Sequence, residues 1–203
     1  MLGLIFAGGE GSRLKLGEKA LVTVGGRAML SRVADAFIAA GDEPVVVTSH
    51  KTPFTRNFCR AQGLDFIDTA GTGYLEDLRE AVELSGEEGP LFTSAADIPY
   101  LTAEIISGVR MQYLASGYEA CSTWVPLEFC RRYHVTPRYS REINGVPATP
   151  CALNIFLGSK LTEEQTELML LLQEPRMAFN VNTREELEAA EKVFNEISAS
   201  NMP

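Results

Sequence analysis

Short runs of β-forming residues alternate with helical patterns along the first half of the chain, and this alternation constrains the fold more than any other feature. Strands are predicted at residues 2–7, 44–48, 65–67 and 91–92, with helices near 28–40, 53–62 and 74–84 between them. Repeated βαβ units of this kind predict a three-layer, Rossmann-like α/β fold with a mainly parallel central sheet and helices on both faces. In such sheets, ligands bind at the carboxyl ends of the strands.

The segment from residue 119 to residue 156 has a different pattern. Two strand-like stretches, 120–125 and 151–156, are separated by the basic pair Arg131-Arg132 and by the turn signal Asn144-Gly145. We expect this segment to form a lobe that faces the substrate. It lies within one domain that we expect to cover residues 1–203.

Polar residues mark three predicted helix starts. Thr52-Pro53 is typical of an N-cap residue followed by proline at the first helical position. Thr162-x-x-Gln165 and Thr183-x-x-Glu186 have the spacing of capping boxes, in which two side chains satisfy free backbone N–H groups at the start of a helix.

The net charge of the chain is −9, from 18 Lys and Arg against 27 Asp and Glu. This balance argues against a protein that grips a nucleic-acid backbone, so any anion site must be local. The apolar runs are far shorter than the roughly 20 residues of a membrane-spanning helix. The four cysteines form no C-x-x-C pair, which favours buried reduced thiols over a zinc site or disulfides and is consistent with a cytoplasmic protein.

A glycine-rich segment directly after the first predicted strand is the strongest functional signal. Ala7-Gly8-Gly9-Glu10-Gly11-Ser12-Arg13 is followed by Lys19. Closely spaced glycines allow successive backbone N–H groups to face one phosphate, while Arg13 and Lys19 supply positive charge. We therefore expect a nucleoside triphosphate to bind along the segment, at Ala7, Gly8, Gly9, Gly11 and Ser12. A glycine-rich turn without a ligand is the alternative.

Two common nucleotide motifs are excluded by the spacing. A Walker A loop requires Gly-Lys followed by Ser or Thr, and the sequence has no such tripeptide. The dinucleotide motif G-x-G-x-x-G begins at Gly9 and Gly11 but has Leu14 at its last position. An ATPase of the P-loop type and a dehydrogenase are therefore disfavoured.

The glycine-rich segment with Lys19 resembles the signature of the MobA-like nucleotidyltransferases, although Ala20 stands where a proline often follows the lysine. Two further segments resemble elements of that family. Ala96-Asp97-Ile98-Pro99 is similar to its metal-binding aspartate segment, and Phe179-Asn180-Val181-Asn182-Thr183 to its late Asn-x-Asn-Thr element.

One branch of that family is especially similar. The stretch from Asp68 to Leu78, DTAGTGYLEDL, resembles the archaeal guanylyltransferases that act on adenosylcobinamide phosphate. The order of the other matching segments agrees along nearly the whole chain. Ala152 is a departure, because that branch has glycine in the corresponding segment, and the added methyl group is expected to narrow the site.

The resemblance implies transfer of GMP from GTP to a phosphorylated acceptor, adenosylcobinamide phosphate, in cobalamin biosynthesis. Arg13, Lys19 and Asp97 would be the catalytic residues. Asp97 and Asn182 would hold Mg²⁺, which usually takes one or two carboxylates together with phosphate oxygens and water. Asn154 and Asn180 would lie on the acceptor side. Asp97 also suits a plain turn, and the two late asparagines suit turn chemistry before the Thr183 cap.

Base recognition is expected at the carboxyl ends of the second and third strands. The candidate residues there are Thr48, Ser49, Asp68, Thr69 and Gly71. The Asp68 carboxylate is suited to accept hydrogen bonds from guanine, and equally suited to cap the next helix.

Other functions keep the same fold. The acceptor would instead be molybdopterin, phospholactate or a sugar phosphate, or the protein would be a nucleotide-binding module without turnover. Retention of Arg13, Lys19 and Asp97 together argues against the silent module. A homodimer is consistent with the resemblance.

Overall fold

The central sheet begins with parallel strands that alternate with helices. The computed structural model describes residues 1–9, 11 and 14–200. The elements of the first half are β1 (Leu2–Phe6), β2 (Thr23–Val24), β3 (Arg27–Ala28), α1 (Met29–Ala39), β4 (Glu43–Ser49), α2 (Pro53–Gln62), β5 (Asp65–Thr69), α3 (Tyr74–Ser85) and β6 (Pro90–Ala95). Strands β2 and β3 form a separate small hairpin.

The second half adds both antiparallel and parallel strands. Its elements are α4 (Ala103–Ser116), β7 (Ala120–Pro126), α5 (Leu127–Tyr133), β8 (Arg141–Ile143), β9 (Val146–Leu157), β10 (Glu167–Leu171) and α6 (Arg184–Ser200). The strand order is β10-β7-β9-β6-β1-β4-β5, with β8 paired to β9. Strand β9 is antiparallel to β6, β7 and β8, while the other pairs of this sheet are parallel.

Helices bury both faces of the parallel region. On one face, Phe37 of α1 packs against Phe92 of β6, with ring centroids 5.6 Å apart. On the other face, Leu78 of α3 belongs to a second apolar cluster with Leu4 and Leu91. The predicted three-layer, mainly parallel α/β fold is confirmed, and its carboxyl edge is the edge where β1, β4 and β6 end.

Two predicted helix starts differ from the structure in detail. No helix follows Thr162, because the Gln165 side chain instead bonds both main-chain atoms of Leu157, N at 2.9 Å and O at 3.1 Å. At α2, Pro53 does occupy the first turn, but the Thr52 side chain does not cap the helix. The Glu18 carboxylate caps it from a distant segment by accepting the N–H groups of Phe54 and Thr55.

The capping box before α6 is confirmed. The N–H of Glu186 donates to Thr183 Oγ1 at 3.2 Å, and Glu186 Oε2 accepts the N–H of Thr183 at 3.1 Å. These reciprocal bonds fix where α6 begins. They also fix the direction in which the preceding Asn180–Asn182 segment enters the sheet edge.

Residues 119–156 form β7, α5, β8 and β9, and all three strands belong to the central sheet, β8 through its pairing with β9. Asn144 and Gly145, both with positive φ, make the tight turn between β8 and β9. Ala152 has φ +60° and lies where the register between β7 and β9 shifts. A positive φ is unusual for alanine and favours glycine, so the position retains a glycine-like backbone.

All four cysteines are buried free thiols, as predicted. Burial raises the pKa of Cys151 to about 12, so this thiol stays protonated and is a poor nucleophile. Within the described residues, no helix is both long and apolar enough to span a membrane.

Candidate active site

Lys19 and Asp97 meet at the carboxyl edge of the sheet. Asp97 follows the end of β6, and Lys19 opens a short 3-10 helix at Lys19–Leu21. The Lys19 ammonium forms an ion pair with Asp97 Oδ2 and donates to Asn182 Oδ1 at 2.8 Å. Asp97 is only 2% exposed, and a carboxylate this buried is costly unless a cation faces it. Its position is therefore that of a buried, charge-paired group and not of a solvated turn residue.

The segment Asn180–Asn182 encloses this ion pair from the side of α6. The N–H of the buried Val181 donates to the main-chain oxygen of Asp97 at 2.9 Å. With its amide nitrogen facing the carboxylate, which only accepts hydrogen bonds, Asn180 donates to Asp97 Oδ2 at 2.9 Å. Asn182 Nδ2 donates to the main-chain oxygen of Asn180 at 2.7 Å. Asn182 thus contacts Lys19 and Asn180 contacts Asp97. Both asparagines therefore do more than shape the turn before α6.

The oxygen atoms around Lys19 are suited to a hard cation. Asp97 Oδ2 and Asn182 Oδ1 both bind the Lys19 ammonium, so they converge on one point. Carboxylate and amide oxygens are ligands that Mg²⁺ accepts. Among the described residues, no group of three or more His, Cys, Asp and Glu side chains converges. An ion here would therefore take most of its ligands from phosphate and water.

The glycine-rich segment lies against Lys19. Gly11 has φ +65°, and a Cβ at this position would stand 2.8 Å from Lys19 Cβ. Glycine is needed at residue 11 both for its backbone and for this close approach. A Cβ at Gly9, in contrast, would meet nothing within 4 Å. Ser12 and Arg13 lie outside the described residues, so their expected phosphate contacts stay predictions.

A second group of predicted residues converges beside the ends of β1 and β4. Ala7 continues β1 by donating its N–H to the main-chain oxygen of Val47 at 2.9 Å. Ser49 Oγ donates to the main-chain oxygen of Gly8 at 3.2 Å. A Cβ at Gly71, which has φ +70°, would lie 2.9 Å from Ser49 Cβ. Gly8, Ser49 and Gly71 therefore form one surface next to the glycine-rich segment.

The loop that begins at Gly71 is held by charged side chains. Asp77 Oδ1 accepts the N–H groups of Gly71 and Thr72 at 2.9 and 3.3 Å. Lys51 Nζ donates to the main-chain oxygen of Gly71 at 2.6 Å. These bonds fix the loop before any ligand binds, so binding costs little conformational entropy for ordering the loop.

Thr48, Asp68 and Thr69 are placed differently from Ser49. Thr48 Oγ1 donates to Asp68 Oδ1 at 2.5 Å, and Arg56 of α2 donates to Asp68 Oδ2 at 2.9 Å. Partial burial opposes ionisation of Asp68, but these two hydrogen bonds and the Arg56 charge lower its pKa overall. Thr69 Oγ1 is buried and donates to the main-chain oxygen of Thr48. Asp68 does not cap α3, since Asp77 bonds the loop before it.

Asn154 does not join Asn180. It lies opposite Thr93 in β6 and Ser122 in β7, on the sheet face that α3 approaches. There Tyr74 OH donates to Thr93 Oγ1 at 3.4 Å, and the Tyr74 ring packs 4.9 Å from that of Phe6. Burial raises the pKa of Tyr74, so the hydroxyl stays protonated.

Sequence reasoning missed several residues that shape the site, among them Glu18, Lys51, Tyr74 and Asp77. Asp77 carried a usable signal, because an acidic residue in the first turn of a helix commonly binds N–H groups of the preceding loop. Lys51 carried none, since its target on Gly71 is reached only through the fold.

The structure has one cavity beside the glycine-rich segment and another beside the β7, β9 and β10 end of the sheet. One, of about 350 Å³, is lined by Gly11, Lys15, Lys51 and Phe54 among others, so two further lysines lie near the expected phosphates. Another, of about 250 Å³, is lined by Ala120, Phe156 and Glu167 near α3. The second cavity contains none of the predicted site residues and lies toward the opposite edge of the sheet.

The chain resembles known proteins along its whole length. It is 28% identical over 202 residues to the adenosylcobinamide-phosphate guanylyltransferase of Methanocaldococcus jannaschii, covering 94% of this chain and 96% of that protein. A hypothetical transferase of Thermus thermophilus superposes with a TM-score of 0.71 at 22% identity, over 92% of this chain and 98% of its own. Molybdopterin-guanine dinucleotide biosynthesis protein A of Archaeoglobus fulgidus superposes with a TM-score of 0.67 at 16% identity, over 97% and 100%.

The family assignment agrees with the resemblance carried by the glycine-rich segment, Lys19 and Asp97. A family model described as the MobA-like NTP transferase domain matches residues 3–192, and the chain therefore belongs to this family of nucleotidyltransferases.

Proposed function

We propose that this nucleotidyltransferase transfers GMP from GTP to adenosylcobinamide phosphate, giving adenosylcobinamide-GDP and pyrophosphate. The observation that carries the proposal is the full-length similarity to a protein named adenosylcobinamide-phosphate guanylyltransferase. The joining of Lys19, Asp97 and Asn182 at one edge of the sheet is consistent with it. This cluster lies beside the glycine-rich segment, where the nucleotide phosphates are expected.

The proposed reaction needs no protein nucleophile. A phosphate oxygen of the acceptor attacks the α-phosphorus of GTP, and the bond from that phosphorus to the α,β-bridging oxygen breaks. The electron pair of the broken bond leaves with pyrophosphate. The two reactants are both anions, so catalysis depends on holding them in line and on stabilising the charge that moves to the leaving group.

The residues of this chain divide that work. The backbone of Gly8, Gly9 and Gly11 would hold phosphate oxygens, and Lys19 would move from Asp97 toward the phosphates as negative charge builds there. Mg²⁺, when bound by Asp97 and Asn182, would neutralise further phosphate charge. The oxygens that would hold the ion are those that the Lys19 ammonium binds, so the buried Asp97 carboxylate would be compensated either by Lys19 or by the ion.

The fixed loop at Gly71 and Thr72 is a better candidate for contact with the guanine base than Asp68. It adjoins Gly8 through Ser49. Both oxygens of Asp68 are bound by Thr48 and Arg56, which belong to the β4–α2 side. We propose that Asp68 orients Arg56 and Thr48 and that the loop contacts the base.

Pyrophosphate release tests this function. The enzyme would be supplied with GTP or with ATP, CTP or UTP, each with and without adenosylcobinamide phosphate, at fixed Mg²⁺. Release that requires both GTP and the cobinamide supports the proposal. If the cobinamide gives no release, the assay is repeated with molybdopterin, phospholactate and a sugar phosphate. Release with one of these would replace the acceptor, and tight GTP binding without release with any acceptor would favour a silent module.

A further inference from the structure

A small cavity of about 130 Å³ lies next to Asn180 and Asn182. Besides these asparagines, it is lined by the loop at residues 135–139, which follows α5, and by Thr149 and Pro150 of β9. Asn182 binds Lys19 and Asn180 binds Asp97, so these two side chains lie between the cavity and the Lys19–Asp97 pair. We call it the Arg138 cavity.

The loop that carries Arg138 is anchored at both ends. Val135 is buried, and its N–H donates to the main-chain oxygen of Cys130 at 2.9 Å. At the other end, the Tyr139 ring lies 6.0 Å from the ring of Trp124 in β7. Arg138 is therefore held beside the cavity by two contacts that do not involve its own side chain.

Two charged side chains of opposite sign line this cavity. Of the described residues that line it, Arg138 is the only Lys or Arg, and Glu186 is the only carboxylate. Glu186 Oε2 is already bound to the N–H groups of Asn182 and Thr183. In a chain with a net charge of −9, a guanidinium at the edge of the reaction site is the kind of local cation that an anionic substrate requires.

We propose that Arg138 binds the phosphate group of the acceptor, so that the Arg138 cavity selects acceptors by their phosphorylated end. This rests on the proposed function. The planar guanidinium can pair with two phosphate oxygens at once. A cavity of about 130 Å³ has room for a phosphate group but not for a corrin ring, so the body of the acceptor lies outside it. Recognition in the cavity is thus of a phosphomonoester end, whatever molecule carries it.

The first experiment compares two arginines from the same region. Arg138→Ala is expected to raise KM for adenosylcobinamide phosphate at least about tenfold while KM for GTP stays within about twofold, since the lost contact is to one substrate only. Arg138→Lys keeps a cation and should recover part of the affinity. Arg132→Ala, on the exposed side of α5 and outside the cavity, is the matched control and should match the wild type. An unchanged acceptor KM in Arg138→Ala overturns the proposal.

The second experiment does not depend on the identity of the acceptor. The protein is saturated with a GTP analogue whose α,β-bridging oxygen is a methylene group, and binding of inorganic phosphate is followed by ³¹P NMR. Wild-type protein should bind phosphate and Arg138→Ala should not; equal binding by both proteins contradicts the role of Arg138. If phosphate binds through Arg138 but adenosylcobinamide phosphate is not turned over by the wild type, the acceptor assignment fails and the inference about Arg138 stands.

Discussion

The two halves of the central sheet reach the active site by different routes. In the half formed by β1, β4, β5 and β6, each strand is parallel to its neighbour within this group, and the site residues lie at the carboxyl ends of these strands or in the segments that follow them. In the half formed by β7, β9 and β10, β9 runs antiparallel to β6 and β7. This second half contributes to the site through the segment Asn180–Asn182, which precedes α6, and through the loop that carries Arg138.

The two halves are expected to bind different substrates, the nucleotide and the acceptor. The parallel half supplies glycine-rich backbone and lysines next to Gly11, which suit the phosphates of a nucleotide. The second half supplies one small cavity with one arginine. Asp97, at the end of β6, lies at the border of the two halves and is contacted from both, by Lys19 and by Asn180. The comparison therefore predicts separable effects on nucleotide and acceptor.

The largest effect is expected at the border. Lys19→Ala should lower kcat by well over tenfold, more than about 1.4 kcal/mol of transition-state stabilisation, because it removes the cation that faces the moving charge. Pyrophosphate release under saturating substrates measures it. The matched control is Lys160→Ala, which removes an ion pair with Glu119 outside the site and should leave kcat unchanged. A Lys19→Ala enzyme with near-wild-type kcat would remove Lys19 from the mechanism.

An effect mainly on the nucleotide half is expected from Gly11→Ala. The new Cβ would meet Lys19 Cβ at 2.8 Å in a left-handed backbone conformation, so the glycine-rich segment has to shift. KM for GTP should rise by about tenfold, or about 1.4 kcal/mol of lost binding, with a smaller change in acceptor KM.

Gly108→Ala, in α4 and outside the site, is the control for Gly11→Ala, because it adds the same methyl group where a Cβ meets nothing within 4 Å. It should bind GTP nearly as the wild type does, as measured by calorimetric titration. Equal losses in both variants would show that the packing of Gly11 on Lys19 is not the cause of the weaker GTP binding.

The smallest effect concerns stability. Glu18→Ala removes both hydrogen bonds at the start of α2 and should lower the free energy of unfolding by about 1 kcal/mol, the usual cost of a lost N-terminal cap. Urea unfolding measures it. The exposed Glu43 at the start of β4 provides the control, and a Glu18→Ala protein as stable as Glu43→Ala would contradict the capping role.

The parallel half was also the half that the sequence predicts well. Its strands and helices follow one another with local signals, such as Pro53 in the first turn of α2 and the glycines before Lys19. The family resemblance implied both Lys19 and Asp97 as catalytic residues, but the ion pair between them was not predicted and is a finding of the structure.

The remaining features depend on contacts between distant residues. Strand β10 was not predicted, and Gln165, which suggested a capping box, bonds Leu157 of β9 instead. Helix α4 was missed because apolar residues lie around it on several sides, with Met111 exposed and Ile106 buried, which blurs the helical period. The contact of Lys51 with Gly71 and the Glu18 cap of α2 likewise exist only once the chain is folded.

The most direct test of nucleotidyl transfer follows the label of GTP. The enzyme is incubated with adenosylcobinamide phosphate and with GTP labelled with ³²P at either the α- or the γ-phosphate, and the corrinoid product is separated. The proposed reaction places the α label in the corrinoid and the γ label in pyrophosphate. Transfer of the γ label to the acceptor, or release of labelled phosphate without any labelled corrinoid, would contradict it.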